Sequence, residues 1–248
     1  RYLAHRWDTR PAPPRRSTSS GTSMAAPHVA GAAALMFAVN DTLDCERLKL
    51  IMFDTVDKLP SLTGRCVAQG RLNLYNSLYM ARPGKVINVT QMEDFNSIGL
   101  AIEAADDSDE LVVEHGRYYF ETVDLGNLNL VIRSGDVNDT GDETLYPEDT
   151  VITGALFAND PMLTIAGGQS SNTVIKGFTI KDGDEGGIYI DGADPVIQNC
   201  YITDCVNSDY GAGLAIYDSN AQIIDCVISG NIASRWGGGA CVSGGSPV

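Results

Sequence analysis

The 248-residue sequence lacks several features that mark common protein classes. Its 6 cysteines are too few for a disulfide scaffold, and none has the Cys-x-x-Cys spacing of a metal or redox site. No apolar run approaches the roughly 20 residues that cross a bilayer. These absences exclude a membrane span and a Cys/His metal centre, and they leave the redox compartment open.

Basic residues are scarce in the larger part of the chain. Residues 1–85 carry 12 Lys and Arg against 6 Asp and Glu, whereas residues 86–248 carry 5 against 26. This shift predicts a domain boundary near Gly84. The acidic part repels phosphate backbones, so we expect no nucleic-acid partner. High acidity with few lysines suits an extracellular or cell-surface protein.

The first twenty residues differ from the rest. Residues 1–20 contain clusters of Pro and Arg and have no apolar period, which predicts an irregular leader. Residue 1 is Arg rather than Met, and we expect the natural start to lie further upstream. The overall hydrophobic fraction of 44% is sufficient for a folded core.

A serine-containing segment, SSGTSMAAPHVAG at residues 19–31, precedes a run rich in Ala, Leu and Met. This composition predicts a helix, with Pro27 in its first turns, where a missing N–H costs least. Ser23 then lies at the start of the helix, where its backbone N–H points outward and the helix dipole favours developing negative charge. A second helix is predicted from Thr42 to Val56 by its apolar spacing.

The segment Gly21 to Gly31 resembles the serine signature of the subtilisin-like serine peptidases. The segment GRLNLYNSL, residues 70–78, is similar to the Gly-x-x-Asn segment that closes the subtilase domain. The resemblance implies that residues 21–82 are the C-terminal part of an α/β subtilase domain that acts on peptides or proteins without a cofactor. It also implies that Ser23 is the nucleophile and that its backbone N–H is an oxyanion donor.

The family's triad runs in the order Asp, His, Ser, and the base must reach the serine hydroxyl. The chain has three histidines: His5, His28 and His115. His28 follows the proline of the motif and is structural in the family, so we do not expect it to be the base. No His-Gly-Thr-His-like segment precedes Ser23.

The other partners of the nucleophile are also missing from the pattern. Asp8-Thr9-Arg10 has Arg where the family has Gly, and no histidine lies between Asp8 and Ser23. The first asparagine, Asn40, follows the serine, whereas the family's side-chain oxyanion donor precedes it. We therefore expect this chain alone to be inactive, and residues 21–80 to be marginally stable unless they pack on another part of the chain.

The acidic part contains a repeat. Its first strand recurs as TVIKGFTI, PVIQNCYI and AQIIDCVI, and its second as GIYI, GLAI and GACV. The first strands are spaced by 22 and 26 residues, and the second strands by 26 and 26. A period of this length with β-branched strands and Gly, Asn and Asp turns predicts a right-handed parallel β-helix, one coil per repeat.

Stacked coils place equivalent residues in columns about 4.8 Å apart. The predicted inward columns are Phe178/Cys200/Cys226, Ile180/Ile202/Ile228, Ile188/Leu214/Ala240 and Ile190/Ile216/Val242. Thr179, Tyr201 and Val227 are predicted to face out. Cys200 and Cys226 either bond across coils or act as apolar fillers, and we favour fillers because a continuous column explains both. The spacing does not decide whether Cys45 and Cys66 form a disulfide.

The entrance to the repeat has its own pattern. Residues 94–105 place apolar side chains on one helical face, and residues 109–120 resemble a pair of strands. This run resembles the capping helix and first coil of pectate-lyase-like β-helix proteins, a resemblance that covers residues 86–248 with coils over about 111–248. The fold class is therefore mixed: a partial, mainly helical α/β subtilase segment followed by an all-β solenoid. At the far end, Pro247-Val248 aligns with Pro195-Val196, and we expect both ends to be cut.

Chemistry on the coils is harder to assign. Lys176, Lys181 and Arg235 do not form a column of bases. A cluster of carboxylates offers a pair for glycoside hydrolysis, although we favour solvated turns; its members are Asp182, Asp184, Glu185, Asp204 and Asp209. The segment at residues 134–144 resembles a calcium loop, but its twelfth position from Asp136 is Pro147, where an EF-hand needs Glu. We expect no metal or cofactor, with calcium at this loop as the alternative.

Three functions follow from these patterns. The leading hypothesis is a secreted subtilisin-like serine endopeptidase, seen here as its serine-bearing end, with the β-helix as a substrate-binding or cell-surface appendage. The second is a non-catalytic surface module that binds a polysaccharide or another cell-surface ligand and keeps a relic peptidase segment. The third is a carbohydrate-active β-helix enzyme, because the fold hosts lyases, hydrolases and passive spacers alike.

Overall fold

The computed structural model describes residues 21–41, 43–82, 85–119, 122–135, 146–154 and 160–248. The predicted leader at residues 1–20 lies outside them. The described residues between 21 and 82 form a helical unit, and the β-coils follow from residue 110. No helix among the described residues is long and apolar enough to cross a membrane.

The described residues contain four α-helices, and three of these helices start at a polar cap. The helices are α1 (Thr22–Val39), α2 (Cys45–Asp54), α3 (Leu74–Met80) and α4 (Ile98–Ala104). Asp44, Asn73 and Ser97 accept a hydrogen bond from the backbone N–H three residues later, at the starts of α2, α3 and α4. Both predicted N-terminal helices are present, and the second is shorter than expected because Asp44 begins it.

The helical unit has a small core of its own. Between α2 and α3, strands β1 (Asp57–Lys58) and β2 (Gly70–Arg71) form a short antiparallel pair, and residues Pro60–Leu62 form a 3-10 turn. The buried cluster contains Ala32, Met36, Leu43, Ile51, Met52, Ala81 and Tyr119. Tyr119 belongs to the first β-coil, so the helical unit packs on the coils.

The remaining strands are short and follow one another with few interruptions. They are β3 (Val86–Asn88), β4 (Glu93–Phe95), β5 (Glu110–Val113), β6 (Gly116–Tyr119), β7 (Val123–Asp124), β8 (Val131–Ser134), β9 (Thr150–Thr153), β10 (Leu163–Ile165), β11 (Val174–Lys176), β12 (Thr179–Lys181), β13 (Ile188–Asp191), β14 (Val196–Gln198), β15 (Tyr201–Thr203), β16 (Val206–Asn207), β17 (Leu214–Ser219), β18 (Gln222–Ile224), β19 (Val227–Ser229), β20 (Ile232–Ala233) and β21 (Ala240–Gly245). A 3-10 turn, Pro147–Asp149, precedes β9.

These strands stack into three parallel sheets. The first sheet contains β5, β8, β11, β14 and β18, the second β6, β9, β12, β15 and β19, and the third β7, β10, β13, β17 and β21. Each described coil contributes one strand to each sheet. Coils 1 to 5 start at β5, β8, β11, β14 and β18, respectively. The antiparallel strands β3 and β4 extend the first sheet at its N-terminal edge. The predicted β-helix is therefore confirmed.

The predicted columns are in register. Ile180 pairs with Ile202 and Ile202 with Ile228, while Ile188 pairs with Leu214 and Leu214 with Ala240. Members in coils 3 and 4 are buried, whereas those in coil 5 are less so because no described coil covers them. In coils 3 and 4, the column members are therefore packed along the stack as well as across the coil.

Two expectations need correction. Thr179 was expected at the surface, but it is buried, because the turn at residues 147–149 covers it and its hydroxyl donates to the Pro147 carbonyl at 2.9 Å. The capping helix was expected over residues 94–105, but it begins at Ile98. Residues 94 and 95 instead belong to β4, where hydrogen bonds to β3 replace helical ones.

Turns between the first and second sheets use a left-handed residue at the same place in successive coils. Gly177, Asn199 and Asp225 have φ values of 83°, 49° and 52°. Asn and Asp tolerate this region better than other residues with a Cβ. The turn between the second and third sheets also uses left-handed residues, Asp182 and Asp204, with φ values of 57° and 56°. The Asn and Asp residues at these turn positions are therefore explained by the backbone conformation that the turns require.

Candidate functional site

Ser23 is the second residue of α1 and is exposed. Gly21 precedes the helix with φ 138°, a conformation that suits glycine, and its carbonyl accepts from the N–H groups of Met24 and Ala25 at 3.0 and 3.2 Å. The first N–H groups of a helix have no acceptor within it. The Ser23 N–H is one of these groups, because Ser23 is the second residue of α1.

The packed part of α1 lies well away from Ser23. Ala32 and Met36 enter the core of the helical unit, and Ala32 is about 13 Å along the helix axis from Ser23 at 1.5 Å per residue. The helix is thus anchored by its second half. Ser23 is presented on its first turn, as the sequence predicts.

The histidines do not complete a triad in the described part of the chain. His28 is exposed, and its Nδ1 lies 2.8 Å from the carbonyl oxygen of Met24, one turn earlier in the same helix. His115 is exposed in the turn between β5 and β6. No hydrogen bond joins Ser23 to either ring, and His5 and Asp8 lie outside the described residues.

His115 instead lines an open cleft of about 270 Å³ at the start of the coils. Arg117, Glu148 and Asp149 line the same cleft. Arg117 also reaches Asp54 of α2, with Nη1 3.5 Å from Oδ2. This cleft mixes opposite charges beside the contact between the two parts of the molecule, and the Arg117–Asp54 ion pair joins them.

The Asn73 end of the subtilase-like segment has a structural role. Its side chain caps α3 and donates from Nδ2 to Asp57 Oδ1 at 2.8 Å. Arg71 pairs with the same carboxylate at 2.8 Å, and these two hydrogen bonds lower the pKa of Asp57. The motif residue therefore ties α3 to the β1–β2 pair.

The carboxylates of the coils are engaged separately. Asp182 accepts from the Thr153 hydroxyl at 3.1 Å and pairs with Lys181 Nζ at 2.9 Å, whereas Asp209 pairs with Arg235 Nη1 at 3.1 Å. Asp204 accepts from Thr203 at 3.1 Å. The four contacts involve four different partners, and the turn conformation accounts for Asp at positions 182 and 204.

The basic residues considered for lyase chemistry occupy different columns. Lys176 is paired in register with Arg133 and Lys181 with Thr153, while Arg235 lies in a loop. Arg133, which the sequence reasoning missed, donates from Nε to Glu110 Oε1 at 2.6 Å. Arg133, the register neighbour of Lys176, is thus already paired with a carboxylate.

The predicted calcium site can be compared with the structure only in part. Of the predicted calcium loop at residues 134–144, positions 136–144 lie outside the described residues. In the remainder that the structure does describe, no group of three or more His, Cys, Asp or Glu side chains is placed to hold a metal ion. The six cysteines are free, and Cys45 and Cys66 are exposed.

The coils also contain a cleft of about 210 Å³ that the sequence reasoning missed. It lies between coils 3 and 4, and its wall includes Glu185, Tyr189, Asp209, Tyr210 and Tyr217. The unequal spacing of 22 and 26 residues between first strands was the signal for it. A shorter coil leaves part of the next coil uncovered.

Comparisons with known proteins agree with this architecture. A model of the subtilase family matches residues 7–74, which include Ser23, and a model of the right-handed β-helix region matches residues 94–248. No curated protein and no solved structure matches the chain. The β-helix match covers more than half of the sequence, and the chain therefore belongs to the right-handed β-helix family.

Proposed function

We propose that the chain is the serine-bearing part of a secreted subtilisin-like serine endopeptidase, with the β-helix as its binding appendage. The observation that carries this proposal is the placement of Ser23, exposed on the first turn of α1 inside a segment that matches the subtilase family. Its hydroxyl is the nucleophile, and its backbone N–H is one oxyanion donor.

The surface of α1 supports the same proposal. A helix that is apolar on all sides is normally buried. Five large apolar side chains of α1 are exposed: Met24, Val29, Leu35, Phe37 and Val39. In a complete subtilase domain, the parallel sheet and neighbouring helices would cover these side chains. The helix composition fits that larger domain better than it fits the helical unit alone.

The proposal also predicts that residues 1–248 alone do not cleave peptides. A serine without a base keeps a protonated, weakly nucleophilic hydroxyl. His28 is hydrogen-bonded within its own helix, and no side chain in the described part activates Ser23. The base, its carboxylate and the side-chain oxyanion donor are then supplied by subtilase sequence outside residues 21–82.

A fluorophosphonate probe tests the proposal, because it labels activated serines and spares ordinary ones. We expect residues 1–248 to remain unlabelled, and the protein expressed with its in-frame upstream genomic sequence to be labelled at Ser23. Ser23→Ala in the longer protein is the matched control and should abolish the label. A longer protein that contains the family's Asp and His segments and still leaves Ser23 unlabelled would favour the non-catalytic surface module.

A further inference from the structure

The loop from the second to the third sheet differs in length between successive coils. Lys181 pairs in register with Thr203, and Ile188 with Leu214, which fixes both ends of the loop in coils 3 and 4. Between these anchors, coil 3 has the six residues 182–187 and coil 4 has the ten residues 204–213. Coil 5 returns to ten, at residues 230–239.

The register identifies which residues of coil 4 have no backbone equivalent in coil 3. Counting from both anchors leaves residues 207–210 without an equivalent. On the side of coil 5 they are stacked: Asn207 pairs with Ala233, and Tyr210 forms a bridge with Trp236. On the side of coil 3, the missing rung leaves the cleft of about 210 Å³.

The stacked side shows which chemistry Asp209 and Tyr210 accommodate. Arg235 lies with its guanidinium carbon 5.6 Å from the centre of the Tyr210 ring. Its Nη1 is 3.1 Å from Asp209 Oδ1 and 3.1 Å from the Tyr210 hydroxyl. A guanidinium is well suited to an aromatic face beside a carboxylate, because it stacks and donates in a plane.

The open side repeats these elements without the cation. Glu185 and Asp209 line the cleft together with the rings of Tyr189, Tyr210 and Tyr217, and no Lys or Arg is among its lining residues. The rings of Tyr189 and Tyr217 are 5.7 Å apart, centre to centre. The Glu185 carboxylate accepts from the Ser208 hydroxyl at 3.2 Å, which positions it beside the missing rung.

We propose that this cleft binds an arginine side chain of a cationic peptide segment, which takes the place of the missing rung. The guanidinium stacks on the tyrosine face and pairs with Glu185 and Asp209, in the way that Arg235 pairs with Asp209 beside the Tyr210 ring. The surrounding acidic coils add a long-range attraction for cationic chains. The inference rests on the proposed function only in so far as the bound segment belongs to a protein that the peptidase cleaves.

Binding is measured by fluorescence polarisation of a fluorescein-labelled peptide of alternating Gly and Arg with the whole chain. We expect saturable binding that weakens as salt is added. The same peptide with citrulline in place of Arg keeps the shape but loses the charge, and it should not bind. Equal binding of both peptides, or displacement of the Arg peptide by a neutral xylo- or cello-oligosaccharide, would overturn the proposal.

Two changes to the protein locate the binding. Glu185→Gln should weaken the Arg peptide about fivefold, as expected for one partly exposed ion pair. Glu103→Gln, on the exposed face of α4, is the matched control and should leave the affinity unchanged. An unchanged affinity in Glu185→Gln contradicts the assignment.

The sharper variant fills the cleft. An insertion of the four-residue sequence Asn-Ser-Asp-Tyr after Asp184 gives coil 3 the loop length of coil 4, and it should abolish binding while preserving the circular dichroism spectrum. Retained binding in a folded insertion variant would refute the missing-rung site. Ser23→Ala should bind the peptide normally, so a failure of the peptidase proposal leaves this test intact, and the reverse also holds.

Discussion

The helical unit and the β-coils solve the problem of burying apolar surface in different ways. In the coils, a side chain such as Ile180 packs on its own equivalent, Ile202, one coil further along. In the helical unit, α1 places Ala32 and Met36 in a small core and leaves much of its apolar surface exposed. A repeat therefore supplies its own packing partners, whereas a segment of a larger domain depends on partners from outside the segment.

The largest expected effect is in the coils. Phe178 is fully buried at the head of a column, and Phe178→Ala should lower the free energy of unfolding by about 3–5 kcal/mol. Tyr201→Ala, on the outer face of the next coil, is the control and should cost far less. Urea unfolding followed by far-UV circular dichroism measures both, and similar losses of stability would contradict the packing of Phe178 in a buried column.

The contact between the two regions should have the next largest effect. Tyr119 is a coil residue inside the core of the helical unit, and Tyr119→Ala should cost about 3 kcal/mol by leaving a cavity. Hydrogen exchange should then increase in α1 to α3 while the third sheet stays protected.

Tyr119→Phe is the matched control for this contact. Within the described part of the chain, the buried hydroxyl has no hydrogen-bond partner. Burial together with the Asp54 charge raises its pKa. Removing it should leave the helices protected or slightly more so. Uniform loss of protection throughout the coils in Tyr119→Ala would show that the regions unfold as one.

A smaller effect is expected at the entrance to the coils, where Asp109 is buried. Burial raises its pKa, but hydrogen bonds from Asn88, the Asp106 N–H and Gln91 outweigh it, and the net shift is downward. A lowered folded-state pKa means that the carboxylate stabilises the fold above its unfolded pKa of about 3.9, and that this stability is lost as the pH falls through the folded value.

Asp109→Asn should therefore destabilise the protein at pH 7 by about 1–2 kcal/mol, and the difference from the parent should shrink as the pH falls below about 4. Chemical unfolding at several pH values measures it. Asp124→Asn, an exposed coil carboxylate, is the control. A difference that persists unchanged at low pH would show that the charge of Asp109 is not what stabilises the entrance.

How much of each region could be predicted from sequence depends on whether its contacts repeat along the chain. The columns from Phe178 to Val242 could be aligned from sequence because the strand period of two and the coil period act together. The start of α1 was predictable from local composition. The burial of Thr179 was not, because the covering turn at residues 147–149 lies about thirty positions earlier and belongs to no repeat.

The candidate sites divide in the same manner. Ser23 was found from a contiguous motif, and the structure adds its exposure and the hydrogen bond that occupies His28. The cleft at Glu185 and Asp209 was missed, although the spacing difference that creates it was visible. A shorter loop can be recognised as the cause of a cavity only when the register of the strands on both sides of the loop is known.

The β-coils, their columns and the position of Ser23 at the start of a helix can be read from the amino-acid order alone, because they depend on residues close together or on a repeat. The packing of Tyr119 in the helical core, the cover over Thr179 and the open cleft at residues 207–210 become visible only in the folded molecule. Burial and cavities depend on which surfaces meet in space, and no local pattern encodes that meeting.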